Sequence, residues 1–107
     1  VNDLATRTRS KKLTLADIEG GTFTLTNFGV FGTMIGMPII NQPQVAILEL
    51  GTVEKRAAVV NDTIAVRPML NLTLGFDHRL IDGAYASQFM AQVKQNLETW
   101  DEEAFGA

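Results

Sequence analysis

The hydrophobic pattern of the chain changes period between residues 69 and 100, which predicts a strand followed at once by a helix. From Met69 to Phe76, apolar residues alternate with small or polar ones, as in a strand with one buried face. From Gly83 to Trp100, apolar residues recur about every four positions, as in an amphipathic helix whose stripe packs on a core. Asp82 stands where the N-cap of that helix is expected.

The junction between strand and helix carries the residues best suited to chemistry. His78 is the only histidine of the chain, and Asp77, Arg79 and Asp82 surround it. Histidine changes its charge nearest neutral pH, so His78 is a candidate general base. The alternatives are a structural histidine and a metal site formed with the two aspartates. The metal site is disfavoured because neighbouring strand residues point to opposite faces and no cysteine or second histidine is present.

Two further strands are expected upstream of the junction. Residues 22–26 alternate β-forming side chains, with Phe23 and Leu25 on one face and three threonines, including Thr26, on the other. The apolar run in residues 44–51 predicts a buried strand in which Glu49 marks an exposed end.

The remaining segments are expected to be a loop, a hairpin and exposed ends. Residues 27–37 combine glycines with large apolar side chains, so this loop either contacts another chain, lines a channel or covers its own core. Residues 61–63 predict the turn of a hairpin, and Pro68 breaks or borders the strand that follows. Residues 4–13 indicate the end of an exposed helix, and residues 101–103 a solvated acidic tail.

Composition narrows the classes of function. A chain of 107 residues is one domain or less, and a 46% apolar share supports a core. The nine Lys and Arg residues form no long stripe, so no nucleic-acid partner is expected. No apolar run approaches the ~20 residues of a membrane span. The absence of cysteine fits a reducing compartment, expected to be a bacterial cytoplasm in preference to the mitochondrial matrix.

Three motifs resemble those of one enzyme family. Residues 78–83 (HRLIDG) match the HRxxDG signature of the acyltransferase (E2) components of 2-oxo acid dehydrogenase complexes, and Asp77 extends it to DHRxxDG. Residues 20–27 (GGTFTLTN) resemble the family's GGTFT(I/L)(S/T)N strand, and residues 38–48 (PIINQPQVAIL) resemble its P(I/V)IN-PxxAIL segment. The motifs stand in the family's order. They cover only the C-terminal half of its catalytic domain.

The resemblance implies a fold and a site. The fold is α+β, an α/β two-layer sandwich like that of chloramphenicol acetyltransferase, in which a C-terminal helix packs on a mixed sheet and residues 1–107 supply the C-terminal half. The reaction moves an acyl group between a dihydrolipoyl thiol and coenzyme A, without a metal. His78 is the expected general base and Thr26 the oxyanion donor. Asp82 is expected to cap the helix and pair with an arginine, and Arg79 to be structural.

The resemblance also implies an assembly. The family's site lies between subunits of a trimer, so His78 and Thr26 are expected to meet across an interface, and the trimers form larger hollow cores. The lipoyl and peripheral-subunit-binding domains, through which the decarboxylase (E1) and dihydrolipoamide dehydrogenase (E3) act, lie outside these residues. The alternatives are a catalytically silent part of the scaffold and a free small-molecule acetyltransferase of the chloramphenicol type. The acyl group (acetyl, succinyl or branched-chain) and the coenzyme A contacts stay open.

Overall fold

The computed structural model describes residues 1–105, and a three-stranded mixed sheet lies at its centre. The helices are α1 (Asn2–Arg9), α2 (Leu15–Ile18), a 3₁₀ turn (Gly29–Phe31), α3 (Gly83–Glu98) and α4 (Glu102–Phe105). The strands are β1 (Thr24–Asn27), β2 (Ala46–Leu50), β3 (Glu54–Val60), β4 (Thr63–Met69) and β5 (Leu72–Phe76).

The sheet has the order β1-β2-β5 and mixes both kinds of pairing. Strand β2 pairs in parallel with β1 and antiparallel with β5, while β3 and β4 form a separate hairpin. Helix α3 follows β5 and lies against it. The expected mixed sheet with a C-terminal helix is therefore confirmed.

Strand β2 supplies most of the core, as its unbroken apolar run predicts. Ala46, Ile47 and Leu48 are 6%, 6% and 8% exposed. The prediction that Glu49 marks an exposed end is wrong, because this residue is only 1% exposed. The loop after β1 closes over its carboxylate at Gly36, where a Cβ atom would lie 2.3 Å from Glu49 Oε1. A side chain at position 36 would therefore require the Glu49 carboxyl group to move.

The predicted hairpin is confirmed, and its turn has the backbone that such turns require. Asn61 and Asp62 have φ angles of 51° and 61°, the left-handed pair of a two-residue turn that matches strand twist. Pro68 lies within β4 rather than ending it, on the edge of this two-stranded sheet. Strand β4 extends to Met69, so β5 begins later than expected, at Leu72.

Helix α1 ends at Arg9, earlier than the expected Leu13, while α3 matches its predicted position better than its predicted packing. Helix α3 begins at Gly83 as expected, yet of its residues only Ala86 is buried, while Tyr85 and Leu97 are 67% and 55% exposed. The expected core packing of the whole stripe is therefore wrong within this chain. Strand β5 likewise has all five residues half-buried instead of one buried face. The acidic tail is exposed but enters α4. Within residues 1–105, no helix has the length and apolarity to cross a membrane.

Candidate active site at the turn after β5

His78 lies in a tight turn that is fixed to the sheet at its first residue. The backbone N–H of Asp77 donates to the carbonyl of Val45 at 2.8 Å, which continues the β2–β5 pairing past the end of β5. The carbonyl of Asp77 then accepts from the N–H groups of Leu80 and Ile81, both at 3.0 Å. The chain therefore reverses immediately after the sheet and leaves the His78 side chain exposed.

The side chain of Asp77 closes the turn from the inside. Its Oδ1 accepts from the backbone N–H and Nε of Arg79 at 3.0 and 2.9 Å, and its Oδ2 accepts from Nη2 at 2.8 Å. These hydrogen bonds from Arg79, with its positive charge, lower the pKa of Asp77 to about 2. This anchoring role of Asp77 was not predicted from the sequence, although an aspartate that accepts a hydrogen bond from the backbone two residues later is a common turn former.

Asp82 caps helix α3 from the other end of the turn. Its Oδ1 accepts from the backbone N–H of Tyr85 at 2.7 Å, the third residue after the cap. The predicted N-cap is confirmed. The predicted pairing of Asp82 with an arginine is not found among residues 1–105, because Arg79 binds Asp77 instead.

An open groove of about 600 Å³ runs beside His78. It lies between the turn after β5 and the segment that precedes β2. The His78 ring stands 5.3 Å from that of Phe76, centroid to centroid. The lining is mixed: Ile40, Pro43, Val45, Phe76 and Leu80 are apolar, while Gln42, Gln44, Asp77, His78 and Arg79 are polar or charged. The groove thus places a proton acceptor beside a surface that offers both apolar contacts and hydrogen-bonding groups to a flexible chain.

Thr26 lies on β1, at the far side of the sheet from His78. Its strand alternates half-buried threonines with exposed residues, so the predicted hydroxyl face is the covered one and Leu25 is 68% exposed. Strand β2 separates β1 from β5, and Thr26 is level with Thr73, five positions before His78. Strand spacing and rise put the two residues well over ~10 Å apart. The structure does not bring Thr26 and His78 together within one chain.

No metal site is evident in the described part of the chain. Between residues 1 and 105, no three His, Asp or Glu side chains converge on a common point. The chemistry at the turn is therefore that of an exposed imidazole, two structural carboxylates and a groove of mixed polarity.

The sequence and the fold match those of known acyltransferases. Residues 1–104 match the profile of the family described as 2-oxoacid dehydrogenases acyltransferase (catalytic domain). The chain is 48% identical over 90 residues to the dihydrolipoyllysine-residue succinyltransferase component of the 2-oxoglutarate dehydrogenase complex of Bartonella vinsonii subsp. berkhoffii, covering 84% of this chain and 22% of that protein. It is 48% identical over 104 residues to the lipoamide acyltransferase component of the branched-chain alpha-keto acid dehydrogenase complex of Bacillus subtilis, covering 96% and 24%.

Solved structures agree with this relationship. A probable dihydrolipoamide acetyltransferase from Listeria monocytogenes superposes with a TM-score of 0.91 at 46% identity, covering 95% of this chain and 44% of that one. The dihydrolipoamide acetyltransferase of Azotobacter vinelandii superposes with a TM-score of 0.87 at 36% identity, covering 92% and 40%. The expected fold, a part of the chloramphenicol acetyltransferase type, is confirmed. The chain spans a quarter or less of the length of the curated relatives that it matches. It belongs to the acyltransferase family of the 2-oxo acid dehydrogenase complexes, within the catalytic domain.

Proposed function

We propose that these residues form the base-bearing half of an acyltransferase site that exchanges an acyl group between a dihydrolipoyl thiol and coenzyme A. The observation that carries this proposal is the exposed imidazole of His78 beside an open groove lined by both apolar and polar side chains. The Asp77–Arg79 pair and the Asp82 cap hold both ends of its turn. A base so fixed, at the edge of a channel for a flexible thiol, suits proton transfer to and from sulfur.

The proposed steps use one base and one hydrogen-bond donor. A thiol with an ordinary pKa near 8.5 is mostly protonated at neutral pH, so His78 accepts its proton as the sulfur attacks the thioester carbonyl. The C–S bond forms, and the carbonyl oxygen becomes an oxyanion that the Thr26 hydroxyl stabilises. Collapse restores the carbonyl and expels the second sulfur, which takes the proton from His78. The reaction therefore conserves protons and needs no metal.

The Azotobacter vinelandii enzyme supports the choice of residues. A serine, a histidine and an asparagine are named in its catalytic mechanism. The spacing from that serine to that histidine equals the spacing from Thr26 to His78, and the asparagine follows the histidine as Asp82 follows His78. Threonine keeps the hydroxyl of serine. Asparagine keeps a side-chain oxygen that can cap a helix as Asp82 does.

The separation of Thr26 from His78 supports a site shared between neighbouring subunits. Each site then takes the imidazole from one chain and the hydroxyl from the next, in a trimer that builds a larger core. The relatives are named as components of multienzyme complexes. We therefore propose that the lipoyl domain delivers the substrate, and that the decarboxylase and dihydrolipoamide dehydrogenase act through domains outside these residues.

The test is an acyl-transfer assay on the complete gene product, with dihydrolipoamide as acceptor and acetyl-, succinyl- and isobutyryl-coenzyme A as donors. Turnover is expected, and His78→Ala should lower it by about 10² or more with folding intact. Lys94→Ala, an exposed position on α3, is the matched control and should retain activity. Near-normal turnover of His78→Ala would reject the assignment of the base. No turnover by the wild type would favour the silent scaffold.

A further inference from the structure

Glu49 is the most deeply buried large side chain among the described residues, and its burial is unusual for a carboxyl group. It is 1% exposed, and neither Oε1 nor Oε2 has a hydrogen-bond partner within residues 1–105. The backbone at Gly36 lies so close to the Glu49 carboxyl group that a Cβ atom there would displace it. Buried polar groups normally find partners, so this exception requires an explanation.

The register of the sheet places Glu49 directly between two threonines. Thr26 on β1 is opposite Glu49, and Glu49 is opposite Thr73 on β5. With neighbouring strands ~4.8 Å apart, the three residues form one row across the same face of the sheet. In the adjacent row on that face, Ile47 stands at the corresponding central position and is 6% exposed. The equivalent central position in the neighbouring row thus holds an apolar side chain, in contrast to Glu49.

An apolar residue at position 49 would make the fold more stable. Removing a carboxyl group from water without giving it a hydrogen bond is costly, and an apolar side chain of similar size does not carry that cost. Residues that reduce stability, such as a buried polar group without a hydrogen-bond partner, are expected mainly at functional sites. The residue beside Glu49 in its row is Thr26, the proposed oxyanion donor.

We propose that Glu49 is a positioning residue for Thr26, an inference that rests on the proposed function. Thr26 is half-buried on β1, an edge strand among the described residues, so a water can reach its hydroxyl. In this proposal, that water donates one hydrogen to the Glu49 carboxyl group and the other to Thr26 Oγ1. This link selects one of the staggered rotamers of Thr26 and leaves its own proton free for the oxyanion. No hydrogen bond within residues 1–105 otherwise restrains that hydroxyl. Glu49 thus supplies the preorganisation that an oxyanion donor needs.

The test compares two variants in the complete gene product. Glu49→Met removes the acceptor with little change of volume. Its kcat should fall about tenfold or more, while KM stays within about twofold and the Tm is unchanged or higher. Glu49→Gln keeps an acceptor oxygen and should retain most of the activity. Ile47→Val, on the same strand and face, is the control that should lower the Tm without lowering kcat. Full activity of Glu49→Met, a lowered Tm of that variant, or a slow Glu49→Gln would each overturn the proposal.

A double-mutant cycle separates this inference from the proposed function. If Glu49 acts through Thr26, Glu49→Met should have no further effect on kcat once Thr26 is alanine. Full additivity of the two losses would overturn the role of Glu49 and leave Thr26 as the donor. If Thr26→Ala alone has no effect, the proposed function fails at Thr26 and this inference with it.

Discussion

At the scale of single residues, two carboxylates with different structural roles fix the turn that carries His78. Asp77 binds Arg79 inside the turn, with its side chain 17% exposed and that of Arg79 84% exposed. Asp82 binds the first turn of α3. Within residues 1–105, the aromatic ring in contact with the imidazole is that of Phe76. Its position therefore depends on the backbone of the turn, and the two carboxylates determine that backbone.

The pairing of Asp77 makes the stability of the turn sensitive to acid. The folded pKa of about 2 lies below the ~3.9 of an unfolded aspartate, so this group contributes stability that is fully present above about pH 4. That contribution is lost as pH falls toward 2. Urea midpoints measured from pH 5 to pH 2 should fall less steeply in Asp77→Asn, and also in Arg79→Ala, than in the wild type. An unchanged slope in both variants would contradict the pairing.

Asp82 should act on the helix rather than on sulfur. Loss of an N-cap costs about 1 kcal/mol, so Asp82→Ala should lower the free energy of unfolding by about that amount, while Asp82→Asn should lose little because asparagine also caps. Denaturant unfolding and turnover measured on the same samples check this. A large rate loss in Asp82→Asn at an unchanged Tm would show instead that the carboxylate takes part in the chemistry.

At the scale of elements, the β3–β4 hairpin depends on the left-handed backbone of its turn. Asp62 has a φ of 61°, a conformation that glycine adopts freely and β-branched residues strongly resist. Asp62→Gly should leave stability unchanged or raise it slightly. Asp62→Val should lower it by roughly 1–2 kcal/mol. Thermal unfolding of both variants measures the difference, and equal Tm values would exclude a strained turn.

The elements that sequence predicts well are those with local signals. The hairpin has turn residues at Asn61 and Asp62, and α3 has both a cap and a periodic stripe, so both were predicted at nearly the right residues. Glu49 was misplaced because its burial comes from the loop at Gly36, which is remote in sequence. The exposure of Tyr85 on α3 could not be predicted for a related reason. An apolar stripe shows that a surface is covered without showing which chain covers it.

At the scale of the whole molecule, the chain exposes more surface than an independent domain of its size. Its accessible surface is 8753 Å² and its radius of gyration 16.7 Å. A folded monomer of this mass is expected to expose about 5,900 Å², with a radius of about 13 Å. The excess includes large apolar side chains in the loop after β1, such as Val30, Phe31 and Met37. These residues require further protein surface, from the rest of the domain or from a neighbouring subunit.

The exposed apolar loop and the separation of Thr26 from His78 both favour a site shared between subunits, and this can be tested. Chains with Thr26→Ala and chains with His78→Ala should each be nearly inactive in pure assemblies. In trimers reassembled from an equal mixture, about a quarter of the interfaces join an intact His78 to an intact Thr26, so about a quarter of wild-type activity should return. Mass spectrometry of the assemblies establishes that subunits have exchanged. A site contained in one chain cannot be repaired in this way, because every chain in the mixture carries one defect. Demonstrated exchange without recovered activity would therefore place the oxyanion donor elsewhere than on the neighbouring chain's Thr26.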